Sequence, residues 1–197
     1  MIFSINTNIP PEVIDYFQPP SDLTLANTVN IKNTSSHRSS YIAWIPSSNW
    51  LSALVETYIR NMNTYYYKYD LTNMSESTCQ YTLYNQGDFY DWHIDSDIFT
   101  AYSPQSPPTY PLPYEQHDYH KHQQHHLRKL SFTLQLSHPE EYTGGELQFN
   151  MGHKLETIRK EYGLLTIFDS RISHRVRKVK SGQRKSFVGW MIGPRWK

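Results

Sequence analysis

The spacing of apolar positions changes twice along the 197-residue chain. From Trp50 to Met62 it is helical: Trp50, Leu51, Leu54, Val55, Tyr58, Ile59 and Met62 recur every three or four residues. That stripe predicts a helix over 48–66, entered through Pro46 and capped by Ser47 or Ser48. Nothing in the stripe is chemically reactive, so it reads as a core face packed on a sheet. From Gln80 onward the period drops to two. Short β-rich runs fall at 80–84, 89–94, 129–137, 146–150, 154–158, 164–168, 174–179 and 185–192. Turn residues separate several of them, among them Asn85-Gln86-Gly87-Asp88, Gly144-Gly145, Tyr162-Gly163 and Ser181-Gly182.

Eight short strands without intervening helices predict a mainly β fold, a sandwich or barrel with buttressing helices. The double-stranded β-helix, or jelly roll, has that strand count. One domain is expected over 1–197, with a helical and loop-like front over 1–75 and a core over 80–192. The front carries Pro10, Pro11, Pro19 and Pro20, and Pro11 can open a short helix over 12–17. An insert over 96–127 breaks the core. Its first half is proline-rich, and its second half holds His117, His120, His122, His125 and His126. Proline keeps the insert out of a sheet, so it reads as a lid over a pocket mouth, with the histidines peripheral.

Composition removes several functions. The single cysteine, Cys79, excludes a disulfide framework and Cys-rich metal sites, and it favours a reduced, intracellular setting. No stretch approaches the ~20 apolar residues of a membrane span, so no membrane partner is expected. The opening residues lack a basic stretch followed by a long apolar run, so no secretory signal is expected. A net charge of +1 gives no global pull toward nucleic acid.

The chemistry concentrates around Trp92-His93-Ile94-Asp95. Two apart on a predicted strand, His93 and Asp95 point to one face, while Ile94 points away and can pack. His174 begins a late strand, and in a jelly roll late strands return beside early ones. Two imidazoles and a carboxylate cover three corners of an octahedron and leave three open, the donor set of non-haem iron(II) oxygenases. An H-x-D pair alone also arises by chance, and the context supplies the weight. Thr133 and Gln135 occupy alternate positions of one strand and are expected to face the pocket.

Ten residues after His174 comes Arg184, within Ser181-Gly-Gln-Arg184-Lys-Ser-Phe-Val-Gly-Trp190. The order Y-x-x-G-x-x-x-x-x-H-x-D, then G-G-E-L, then H-x-V-x-x-V-x-x-G-x-R resembles the iron(II)/2-oxoglutarate-dependent dioxygenases, especially their prolyl 4-hydroxylase-like branch. The resemblance spans about residues 80–192. It implies that His93, Asp95 and His174 hold Fe(II) and that Arg184 pairs with the distal carboxylate of 2-oxoglutarate, whose shape a guanidinium fork matches. It implies a cosubstrate-pocket role for Tyr84, which reads equally as a core tyrosine, and a structural turn at Gly144-Gly145. It implies hydroxylation of an unactivated C–H bond, most often of a prolyl residue in a peptide or protein, with release of succinate and CO2 and with ascorbate as a stimulant. Two other readings stay open. The basic segment 171–197 would suit a nucleic-acid demethylase or hydroxylase of the same superfamily, although Trp190 stands where such enzymes carry a second arginine. A non-catalytic, metal-binding, cupin-like barrel would use the histidines without needing Arg184.

Overall fold

The computed structural model describes residues 1–26, 28–29, 36–72, 74, 79–96 and 126–196. The insert expected over 96–127, with its lid and histidine run, lies outside the described residues except at its ends. The strands in chain order are β1 (Ile2–Asn6), β2 (Thr24–Leu25), β3 (Thr28–Val29), β4 (Ser36–Ser39), β5 (Tyr41–Ile45), β6 (Cys79–Tyr84), β7 (Phe89–His93) and β8 (Leu127–Gln135). They continue as β9 (Tyr142–Gly144), β10 (Leu147–Asn150), β11 (Leu155–Thr157), β12 (Leu164–Asp169), β13 (His174–Val176), β14 (Val179–Gly182) and β15 (Arg184–Gly193). The helices are α1 (Pro11–Asp15) and α2 (Trp50–Met62), and α2 runs on into one wide turn over Asn63–Tyr67.

Among the described residues the strands form a seven-stranded sheet, β1-β12-β8-β15-β6-β5-β2, and a six-stranded sheet, β11-β10-β13-β7-β4-β3. A separate pair joins β9 to β14. Every one of these pairings is antiparallel. This is the mainly β, jelly-roll architecture that the period-two runs predict. Among the described residues no helix is long and apolar enough to cross a membrane.

Alternation along the seven-stranded sheet sorts its two faces. Leu130, Phe132 and Leu134 of β8, Leu165 and Ile167 of β12, and Phe187 and Met191 of β15 join one core with Leu51, Val55 and Ile59 of α2. Burying such a set is the main favourable term in folding. The stripe that predicts α2 is therefore a core face, as expected, except at Trp50, which is exposed. Its cap differs: Asn49, not a serine, accepts a bond from the Leu51 N–H at 3.0 Å. Residues between these apolar positions face inward, between the sheets.

The front departs from its helical and loop-like expectation. It holds α1 and α2, but it also supplies β1 and β5 to the seven-stranded sheet and β4 to the other. The pairings are long-range: Ile2 lies opposite Phe168, and Tyr41 opposite Leu83. Strands of this kind are stabilised by distant partners, and local periodicity over five residues carries little of that signal. The run expected over 174–179 also divides, into β13 and β14. Between them the Arg177 N–H bonds the Glu146 carbonyl, and the Lys178 carbonyl accepts from Gly145.

Candidate active site

Three chain segments meet at the mouth of the jelly roll. His174 at the start of β13 lies opposite His93 at the end of β7. Asp95 follows beyond the strand end. The expected strand over 89–94 stops at His93, and Ile94, expected to pack, is 46% exposed. Asp95 is held instead by a clamp. Its N–H and that of Ser96 both donate to the Ser170 carbonyl, at 2.9 and 3.1 Å. Ser131 Oγ of β8 donates to Asp95 Oδ2 at 2.6 Å. Ser131 and Ser170 hydroxyls lie 2.9 Å apart. With the Ser131 proton committed to the carboxylate, Ser170 is the donor of that second bond.

The backbone also fixes both imidazoles. His93 Nδ1 sits 2.8 Å from the Asp91 carbonyl, and His174 Nδ1 sits 2.9 Å from the Ile172 carbonyl. A carbonyl only accepts, so each Nδ1 carries the proton and each Nε2 presents a lone pair. Those lone pairs converge: His93 Nε2 is 3.7 Å from Asp95 Oδ1, and His174 Nε2 is 3.5 Å from Asp95 Oδ2. The potential ligand atoms of all three residues lie within 4.8 Å of one another. Ligand bonds of about 2.1–2.3 Å at 90–110° put donor atoms roughly 3.0–3.8 Å apart, and both imidazole–carboxylate separations fall in that range, so the three residues could hold one divalent ion.

Electrostatics favour the same use. Burial, then the neighbouring His174, pushes the His93 imidazole well below its ordinary range, which keeps Nε2 free of a proton. Burial pushes Asp95 up, but both histidines, Arg128 and the Ser131 bond outweigh it and leave the carboxylate ionised. The rings of Tyr90 and His93 stack at 3.5 Å, and Phe168 meets His174 edge-on at 4.7 Å.

Behind the triad lies a cavity bordered by Tyr84, Thr133, Phe168, Val176, Arg184 and Trp190, among others. Arg184 is 4% exposed, and its Nη1 donates to Ser186 Oγ at 3.2 Å. Among the described residues no carboxylate pairs with it. A buried cation without a counter-charge is costly, and the natural remedy is an anionic ligand. Its neighbour Gly145, at φ +65°, belongs to the turn expected at 144–145; a Cβ there would press 3.2 Å from Arg184 Cδ. Tyr84 lies opposite Arg184 in register, with the guanidinium 5.5 Å from its ring centroid.

Of the two β8 residues expected to face the pocket, Thr133 does so, and its buried hydroxyl has no hydrogen-bond partner among the described residues. Gln135 does not border the triad cavity. It lies in a smaller compartment that Thr133 and Arg184 also border, where its Nε2 donates to the Tyr142 hydroxyl at 2.8 Å. Sequence reasoning misses Ser131, Ser170, Gln80 and Thr82. The signal for Gln80 and Thr82 was present, because they alternate with Cys79, Tyr81 and Leu83 on the strand that ends at Tyr84.

Residues 79–192 match the family model of the 2OG-Fe(II) oxygenase superfamily. A PKHD-type hydroxylase of Hyphomonas neptunium is 48% identical over 62 residues, 32% of this chain and 28% of that protein. A PKHD-type hydroxylase of Synechococcus sp. is 32% identical over 105 residues, 53% of this chain and 36% of its own length. These matches thus span well under two thirds of either relative. Among solved structures, a Pseudomonas putida prolyl-4-hydroxylase superposes with a TM-score of 0.65 at 18% identity, covering 98% of this chain and 93% of that one. A Trichoplax adhaerens prolyl hydroxylase, solved with a hypoxia inducible factor peptide fragment, gives 0.61 at 20% identity, with 96% and 82% covered. At such identities the likeness is one of fold. The family model spans more than half of the chain and encloses both the triad and the buried arginine, and the chain belongs to the 2OG-Fe(II) oxygenase superfamily.

Proposed function

We propose that this protein is an iron(II)- and 2-oxoglutarate-dependent dioxygenase that hydroxylates a prolyl residue of a peptide or protein. The observation that carries the reading is Arg184, a buried guanidinium without a carboxylate partner among the described residues, on the same cavity as a convergent His-Asp-His set. A cupin-like metal store needs the three ligands but gives no account of that arginine.

Iron(II) with 2-oxoglutarate and dioxygen would supply the oxidising chemistry, yielding succinate, CO2 and a hydroxylated carbon. The chain's own groups do the rest. His93 and His174 would offer Nε2, and Asp95 a carboxylate oxygen, on one side of the ion. The Ser131–Ser170 clamp fixes that carboxylate. Arg184 would grip the distal carboxylate of the cosubstrate with a charge-assisted fork, a stronger contact than a neutral hydrogen bond. Thr133 would donate its free hydroxyl, and Tyr84 would line the same end. Phe168, Val176 and Leu147 exclude water from the reacting centre. Tyr90 and Trp190, both bordering the cavity, give flat apolar surface suited to a prolyl ring. The names of the similar proteins, PKHD-type and prolyl hydroxylases, support this substrate class.

The test supplies Fe(II), 2-oxoglutarate and ascorbate with a pool of proline-containing peptides. Succinate formation coupled to one added oxygen atom on a prolyl residue is expected. No succinate above the metal-free background, with or without peptides, would overturn the reading.

A further inference from the structure

The wall of the cavity formed by β6 carries, at Gln80 and Thr82, polarity that nothing in the triad or the arginine site uses. Gln80, Thr82 and Tyr84 alternate along it, while Cys79 and Tyr81 turn into the core shared with α2. Gln80 is 4% exposed and Thr82 1%. Both border the triad cavity. Gln80 Oε1 and Thr82 Oγ1 are buried without a hydrogen-bond partner among the described residues. Among the described residues the Gln80 Nε2 has no partner either, so both ends of the carboxamide are open whichever way the amide is turned. Buried polar atoms of this kind are rare and costly, and in a native chain they call for a ligand or a water.

Position says which ligand Gln80 would meet. The Arg184 guanidinium leans toward Ser186, which lies opposite Thr82. Gln80 is one pleat farther, ~7 Å along the strand. It lies between Val188 of β15 and Trp44 of β5. Trp44 is 41% exposed, and its ring lies 6.4 Å from that of Trp190. Gln80 therefore stands at the foot of an aromatic pair, on the side away from the arginine.

We propose that Gln80 forms a subsite that pairs with a neutral amide of the substrate, next to the carbon to be hydroxylated. This rests on the peptide reading above and sharpens it. The cross-strand partners of Gln80, Trp44 and Val188, and Thr82 two residues along the same strand face bring no charge. A carboxylate would satisfy only its N–H2 end and a cation only its oxygen, whereas an amide answers both ends with one acceptor and one donor. A purine edge offers a similar pair. The peptide is favoured because the cations at the rim are already stacked on aromatic rings, Arg38 over Tyr90 at 4.6 Å and Arg128 over Trp190 at 3.5 Å. The substrate segment then presents a backbone N–H and C=O beside its target residue.

The test uses the Zn(II)-loaded, 2-oxoglutarate-saturated protein and N-acetyl-L-proline N-methylamide as probe, followed by 15N–1H NMR. The Gln80 side-chain amide signal is identified by its loss in Gln80→Leu. Saturable movement of that signal is expected, with binding weakened roughly tenfold in Gln80→Leu. The methyl ester of the probe, which lacks the N–H, should bind the parent about as weakly as the amide binds the variant. Gln80→Met serves if the leucine variant does not fold. An unmoved signal, no binding, or equal binding by the variants would overturn the proposal. Movement by adenosine but not by the prolyl amide would overturn it in favour of a nucleobase. Calorimetric titration of 2-oxoglutarate into the same Zn(II) protein separates the failures: no cosubstrate binding sinks the oxygenase reading, whereas cosubstrate binding without amide binding sinks only this subsite.

Discussion

The two faces of the seven-stranded sheet are built from the same strands and obey opposite rules. The outer face is apolar and packed against α2, through residues such as Leu130, Leu134, Ile167 and Phe187. The inner face is equally buried but polar: Ser131, Thr133, Thr166, Arg184 and Ser186, with Gln80 and Thr82 on β6. Burial alone therefore does not mark a core. On the inner face a second distinction decides the role of each residue. Ser131 is bonded and holds another side chain in place, whereas Thr133, Thr82 and Gln80 have atoms left open. Satisfied polar groups build the site, and unsatisfied ones face what enters it.

The contrast breaks most visibly on the outer face. Phe187→Ala removes a fully buried ring from the α2 core and should cost about 3–5 kcal/mol in urea unfolding, while the cosubstrate affinity of the folded fraction is unchanged. A loss under about 1 kcal/mol would mean that this face is not the structural one.

Next is the carboxylate at the end of β12. Asp169 accepts from the Tyr69 hydroxyl at 2.6 Å and from Arg171 Nε and Nη2 at 2.9 and 2.6 Å. Asp169→Asn should cost about 1.5–3 kcal/mol at neutral pH. Burial pushes this carboxyl up, but the bonds from Arg171 and Tyr69 outweigh it and hold it below its usual value. Its contribution is therefore fully present above the unfolded value of about 3.9 and is lost as pH falls through the lower folded value. The stability difference between parent and variant should shrink on acidification below about pH 4. A pH-independent difference would contradict the assignment.

Ser131→Ala tests the inner face where it is satisfied. Losing the bond to Asp95 should lower Zn(II) affinity by about 10–100-fold in calorimetry, with Ser131→Thr restoring part of it. Equal affinity in parent and alanine variant would remove Ser131 from the positioning role. The smallest effect has the opposite sign. Thr133→Val deletes an open hydroxyl at nearly constant shape and should raise the stability of the ligand-free protein by about 1 kcal/mol while weakening 2-oxoglutarate binding. Destabilisation of the free protein would mean that the hydroxyl already has a partner.

Much of this contrast was legible in the sequence, since alternation from Gln80 onward separates the faces. His93, Asp95, His174 and Arg184 stand out because their residue types are chemically rare in such runs. Parity gives the face but not the depth along a strand, so Thr133 and Gln135 look alike in sequence, yet only Thr133 borders the triad cavity. Asp95 reaches the triad through the Ser170 carbonyl and Ser131, contacts between segments that no local spacing encodes. The strands β1, β4 and β5 depend on partners far along the chain for the same reason.

The central claim is that the His-Asp-His set and the buried Arg184 serve one ligand. Calorimetric titration of 2-oxoglutarate into the Mn(II)-loaded protein tests it most directly, with the parent beside Asp95→Ala and Arg184→Ala. The account predicts metal-dependent binding in the parent, loss of that dependence in Asp95→Ala, and affinity at least about tenfold weaker in Arg184→Ala, partly recovered by Arg184→Lys. Binding that ignores the metal, or that Arg184→Ala leaves unchanged, would contradict it.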